Sequence, residues 1–229
     1  MMISNDSRAR VKKAFEPIAL GMGRLGFTPD ALTLTGFAIT AVGAVLVSQQ
    51  LWLAGGLVVF VGGAFDMFDG TLARATGRVS KLGAFMDSVF DRWGEMLVYI
   101  GIIAGLAFAG LVEGAVLGAA AMGAAFMVSY TRAKAEGLGF TAGIGMAAVG
   151  VMPREVRLVV LSLGLIAAGV FGVPIVQPPS GVTCVESCVQ PGGFVLMGAL
   201  TVIAVGATIT VIQRILHVRG QAHTQSTHS

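Results

Sequence analysis

The chain has 229 residues, 55% of them hydrophobic and only 12% charged, with a mean hydropathy of +0.84. That is a membrane composition rather than a soluble one. The formal net charge of +3 reflects basic residues clustered beside apolar runs, so it gives no reason to expect nucleic acid as a partner.

The chain opens with basic residues spread from Arg8 to Arg24 and no apolar core between them, which is not the pattern of a cleaved signal peptide. Val11, Phe15, Ile18, Met22 and Leu25 recur at helical spacing opposite Arg8, Lys12, Lys13 and Glu16. Residues 1–27 therefore read as an amphipathic helix at the membrane surface, lying in the headgroup layer or packed on the protein body, with Pro17 bending or interrupting it. Thr28-Pro29-Asp30 is a helix-start signal, and the apolar run after it reaches Val47 and stops at Ser48-Gln49-Gln50. A second run spans Leu51 to Phe65, and a third follows Asp91 and Glu95 and reaches Leu111. Three more occupy about Val112–Tyr130, Val156–Val173 and Phe194–Ile215. Each is near the roughly 20 residues that a spanning helix needs. The predicted architecture is an all-α membrane protein: an N-terminal interfacial amphipathic helix (1–27), a domain of six transmembrane helices (28–216), and a polar tail (217–229) expected to be disordered.

On this layout all 15 Lys and Arg fall in the N-terminal segment, around the second-to-third and fourth-to-fifth connections, and in the tail. The positive-inside rule then places both termini and those connections in the cytoplasm of a multi-pass cell-membrane protein. Cys184 and Cys188 lie in the longest outside loop, Val173 to Gly193, where a disulfide is possible and a catalytic role is not expected. Gly101-x3-Gly105 offers a close-packing surface to another helix, in the same chain or in a second copy.

Against this apolar background the stretch from Phe65 to Glu95 stands out. Asp66, Asp69, Gly70, Ala73 and Arg74 fall on one helical face, and Gly83, Asp87 and Asp91 follow at steps of four. The short connection between the two helices predicts that they lie side by side, so that four carboxylates and one arginine share a cleft. A charged side chain at mid-membrane costs roughly 2.5–3.5 kcal/mol. The acids are therefore expected near the interface, holding cations. Carboxylate oxygens suit Mg²⁺ or Mn²⁺, and no His or Cys lies near in sequence to suggest zinc. Two divalent ions would balance four carboxylates, an arrangement used elsewhere in phosphoryl transfer. Gly70 and Ala73 leave room for a nucleotide or pyrophosphate, and Arg74 supplies a fork for phosphate oxygens.

The pattern Asp66-x2-Asp69-Gly70-x2-Ala73-Arg74-x8-Gly83-x3-Asp87-x3-Asp91 resembles the complete signature of the CDP-alcohol phosphotransferases. The resemblance implies transfer of a phosphatidyl group from CDP-diacylglycerol, or an ether-lipid equivalent, to an alcohol with release of CMP. Carried over by residue, it implies that Asp66, Asp69, Asp87 and Asp91 hold two metal ions and that Asp91 also receives the acceptor hydroxyl's proton. It further implies that Gly70, Ala73 and Arg74 meet the CDP-lipid, with Ser80 nearby on the connecting turn, and that the protein is a homodimer. Family members often carry Thr-Pro-Asn before the first span. Here Thr28-Pro29-Asp30, with Thr33 one turn on, either helps to enclose the cytidine or simply caps the helix.

Arg132 and Lys134 in SYTRAKAEGLG, with Arg154 and Arg157 in MPREVRLVV, are either flanking positive charge or a pocket for a phosphorylated acceptor. Both stretches resemble those of the prokaryotic phosphatidylinositol phosphate synthases, which implies inositol 1-phosphate as the acceptor. Glycerol 3-phosphate is the alternative acceptor, since both are anionic polyol phosphates. An alternative of another class is a cation-binding membrane transporter, which also uses intramembrane carboxylates.

Overall fold

The computed structural model describes residues 17–140, 146, 149–172 and 191–226, apart from the side chains of Asp66, Met67 and residues 224–226. The described regular structure is helical. Helix α1 covers residues 17–24 and is followed by α2 (Pro29–Ser48), α3 (Trp52–Ala75), α4 (Lys81–Phe108), α5 (Val112–Gly137), α6 (Arg154–Phe171) and α7 (Pro191–Ser226). Most of the expected interfacial helix, and both cysteines with their loop, lie outside the described residues.

The helix ends follow from local chemistry. Thr28 caps α2 by accepting the Ala31 N–H (3.2 Å), and Ser80 caps α4 by accepting the Gly83 N–H (2.9 Å). Between α3 and α4 the chain reverses at Gly77, whose φ of 65° lies in the left-handed region. The Arg78 N–H then reaches back to the Ala73 carbonyl (2.9 Å), closing the exposed end of α3.

Helix α2 packs on both α3 and α4; α4 packs on α5, α5 on α7, α7 on α6, and α6 on α3, so the six long helices close a ring. Helices α3 and α4 make few direct contacts. The expectation that a short connection sets them side by side is therefore corrected: α2 wedges between them, and the two ends meet across its first turns. Small residues make the wedge possible. A Cβ on Gly101 would stand 2.4 Å from the Ala44 carbonyl, and one on Gly105 2.6 Å from that of Val47. The Gly101-x3-Gly105 surface thus receives α2 of the same chain.

The interior is filled by Ala44, Val47, Val98, Ile102, Leu165 and Leu200 among others. The outward faces carry Val45, Ile100, Val116, Leu163 and Val202 in exposed positions, an apolar belt too extensive for a water-facing surface. Four helices, α2, α3, α5 and α7, are long and apolar enough to cross a membrane. Helix α4 carries Asp87, Asp91, Arg92 and Glu95, and α6 carries Arg154, Glu155 and Arg157 within its 18 residues, which keeps both below that threshold. Beside the ring, Ala19 of α1 is buried with Leu32 and Leu72, so this segment packs on the protein body. The expected tail from residue 217 is instead helical to Ser226, with His217 Nε2 and Gln221 Nε2 2.9 Å apart one turn from each other. Its polar composition sets what it faces, not whether it can continue a helix.

Candidate active site

The start of α2, the end of α3 and the start of α4 meet at one end of the ring. Thr33, buried on α2, donates its hydroxyl to Asp69 Oδ2 on α3 (2.5 Å). Asp69 Oδ1 accepts the N–H of Gly70. Asp30, one turn before Thr33, lies beside the first turn of α4: a Cβ on Gly83 would stand 3.3 Å from Asp30 Oδ1 and 3.0 Å from Ser80 Oγ. Glycine at 83 therefore keeps room for both polar groups. Arg74 folds back along α3, its Nη1 3.4 Å from where a Gly70 Cβ would sit and its Nη2 3.4 Å from Thr71 Oγ1. Ala73, partly buried beside it, adds little bulk to that face.

Asp87 and Asp91 follow on α4, both partly buried. Asp91 Oδ2 receives Arg154 Nη1 from the first residue of α6 (2.8 Å) and Arg92 Nη1 (3.1 Å). A cleft lined by Phe37, Thr40, Asp91, Glu95, Arg154 and Leu158 opens beneath this pair. Of the expected CDP-lipid residues, then, Thr33 meets Asp69, and Asp30 and Ser80 both border Gly83. Asp66 lies one turn before Asp69 on α3, with its side chain outside the described set. Among the described residues no three of His, Cys, Asp and Glu stand together as a metal-holding group. The donor chemistry fits Mg²⁺ or Mn²⁺, since the four aspartates of α3 and α4 offer carboxylate oxygens alone.

The four cations expected to form one acceptor pocket are divided. Arg154 is at Asp91. Arg157 is 1% exposed, and its Nε and Nη2 each lie 2.8 Å from the Glu95 carboxylate oxygens, so its fork is already filled. Arg132 pairs with Glu136 near the end of α5 (2.9 Å), and exposed Lys134 lines a groove with Tyr130 and Arg214. Arg214 is a buried cation that sequence reasoning passed over. Its Nε donates to the Val149 carbonyl (3.0 Å) and its Nη1 to that of Val128. The available signal was an arginine at the end of an otherwise apolar run, which in a membrane helix calls for a partner.

Apolar helices thus close around an end that gathers carboxylates, arginines and glycines, groups whose chemistry suits divalent cations and phosphates. The comparison with known proteins agrees. The sequence profile described as CDP-alcohol phosphatidyltransferase matches residues 27–175. The archaetidylinositol phosphate synthase of Pyrococcus horikoshii is 37% identical over 180 residues, covering 78% of this chain and 91% of that one. The phosphatidylinositol phosphate synthase of Mycobacteroides abscessus is 33% identical over 217 residues, covering 93% and 87%. The crystal structure of Mycobacterium tuberculosis phosphatidylinositol phosphate synthase with CDP-DAG bound superposes with a TM-score of 0.72 at 27% identity, covering 90% of this chain and 94% of that one. A structure of the same enzyme in complex with manganese and citrate also gives 0.72, at 28% identity, covering 89% and 88%. The chain belongs to the CDP-alcohol phosphatidyltransferase family, the family that residues 66–91 resemble.

Proposed function

We propose that this protein transfers the phosphatidyl group of CDP-diacylglycerol, or its ether-lipid equivalent, to inositol 1-phosphate, giving phosphatidylinositol phosphate and CMP. The observation that carries the reading is the 2.8 Å approach of Arg154 to Asp91, which sets a fixed cation beside the acid in the base role. A phosphorylated acceptor has a use for that cation, and an uncharged polyol does not. The names and ligands of the similar enzymes support the same substrates.

In this reading Asp66, Asp69, Asp87 and Asp91 hold two Mg²⁺ or Mn²⁺ ions, which when bound neutralise the diphosphate and polarise its phosphorus. Asp30, Thr33 and Ser80 enclose the cytidine side, while Gly70, Ala73 and Arg74 border the diphosphate. Arg154, with Arg132 and Lys134 further out, draws in the acceptor phosphate. Arg157 is left out of that contact because Glu95 already fills its fork. The acceptor oxygen bonds to the lipid-linked phosphorus as the bond from that phosphorus to CMP breaks, and Asp91 takes the hydroxyl proton. A carboxylate is a weak base for an alcohol, but the proton leaves only as the P–O bond forms.

In this reading six helices cross the membrane, α4 and α6 included, and their charged ends lie with the site at the cytoplasmic face. Two such chains form a homodimer, through surfaces other than Gly101-x3-Gly105. Incubating labelled CDP-diacylglycerol with inositol 1-phosphate, free inositol or glycerol 3-phosphate tests the acceptor. Lipid product with inositol 1-phosphate is expected, and product with glycerol 3-phosphate alone overturns the assignment.

A further inference from the structure

The connection entering α6 is held at a single residue, Met152, from three directions. The Met152 N–H donates to Thr210 Oγ1 on α7 (2.9 Å), and the Met152 carbonyl accepts Arg157 Nη1 (3.2 Å). Its side chain is buried against Gly206, where a Cβ would stand 2.5 Å from Met152 Cε. Arg157 is held in turn by the two 2.8 Å bonds to Glu95, which is 7% exposed. Two residues beyond Met152, Arg154 reaches Asp91, and Asp91 stands one turn before Glu95 on the same helix. The contacts run in a circuit from Asp91 through Arg154, Met152 and Arg157 back to Glu95, tying α4 to the start of α6.

A buried ion pair adds little stability over apolar side chains of the same volume, so packing alone gives no reason for charge at 95 and 157. Net charge gives none either: the carboxylate and the guanidinium cancel, so the pair adds nothing to the attraction of an anionic acceptor. What the pair does supply is geometry. A guanidinium held by two parallel bonds admits one orientation, and the third bond, to Met152, transmits that orientation to the residue two places before Arg154.

We propose that Glu95 is a positioning residue for the acceptor subsite. Through Arg157 and the Met152 peptide it fixes where Arg154 stands beside Asp91, and so sets the affinity for the phosphorylated acceptor without touching it. The inference rests on the acceptor reading above.

The test is steady-state kinetics of the full chain in lipid-detergent micelles, comparing Glu95→Gln with the parent and varying each substrate separately. Gln keeps the shape and removes the charge. The KM for the acceptor phosphate rises at least about fivefold, while the KM for CDP-diacylglycerol and Mn²⁺ affinity read by electron paramagnetic resonance stay within about twofold. Net charge predicts the opposite, and so does a direct phosphate contact by Arg157, because the substitution removes a negative charge and loosens that arginine. An acceptor KM that falls, or moves by less than about twofold, overturns the proposal. Thr210→Val enters the circuit from α7 and serves as the second arm, also if Glu95→Gln does not fold. It raises the acceptor KM at least about twofold with the CDP-diacylglycerol KM unchanged, and equal effects on both, or none, contradict the circuit. If the parent accepts glycerol 3-phosphate alone, the inositol assignment fails, and the same comparison with that acceptor still decides the role of Glu95.

Discussion

Thr33 on α2 and Asp69 on α3 are joined by a 2.5 Å hydrogen bond at a position where the carboxylate is 4% exposed. The helix that begins with Thr28-Pro29-Asp30 therefore also orients one of the acids assigned to metal. Because α2 stands between α3 and α4, a displacement of its first two turns reaches Asp69 on one side and Gly83 on the other.

Thr33→Val keeps the volume of that side chain and removes its donor. A hydrogen bond to a buried charged group contributes about 1.5–3 kcal/mol, so thermal unfolding in detergent shifts down accordingly. Half-maximal turnover should also require more Mg²⁺, and Thr33→Ser should restore it. An unchanged Mg²⁺ requirement would show that Asp69 holds its orientation without Thr33.

Asp91→Asn keeps the size of the residue and removes the base. CMP release falls by roughly 10²–10⁴, the usual contribution of a positioned general base, while the purified variant remains folded. Near-normal turnover in a folded variant would take Asp91 out of that role.

Arg154→Gln removes the cation 2.8 Å from Asp91. The KM for inositol 1-phosphate rises by about tenfold or more, with the KM for CDP-diacylglycerol little changed, since the expected CDP-lipid residues lie on α2, α3 and the turn before α4. If both KM values rise together, Arg154 acts on the nucleotide side instead.

Gly101→Val places a side chain where a Cβ already meets the Ala44 carbonyl at 2.4 Å. Forcing extra volume into a close-packed contact costs about 1–3 kcal/mol, so the unfolding temperature falls. Because the contact is between α2 and α4 of one chain, the oligomeric state on size-exclusion chromatography stays the same. Loss of a dimer without loss of stability would move this surface to an interface between copies.

Much of this was legible in the sequence, for physical reasons that differ by element. The end of α2 at Ser48 and the start of α5 at Val112 coincide with breaks in hydropathy, which are local signals. The spacing of Asp66 through Asp91 carries the family by itself. The order of helices around the ring did not show: Gly101 and Gly105 announce a close neighbour but cannot say which one. Arg157 shows the same limit. Its charge reads equally as a flank, a phosphate ligand or half of an ion pair, and its partner Glu95 lies 62 residues away. The end of α7 is not legible because a polar run from residue 217 reads as a tail, although helix formation through residues 217–226 requires no burial.

In the proposed reaction, carboxylates of α3 and α4 gather divalent ions and hold a nucleotide-linked diphosphate for attack. The most direct measurement is CMP release from CDP-diacylglycerol and inositol 1-phosphate by purified protein, first with all divalent ions chelated and then with Mg²⁺ or Mn²⁺ added back in excess. No release under chelation and full recovery on addition is the expected result. Sustained turnover with every divalent ion removed would contradict the account.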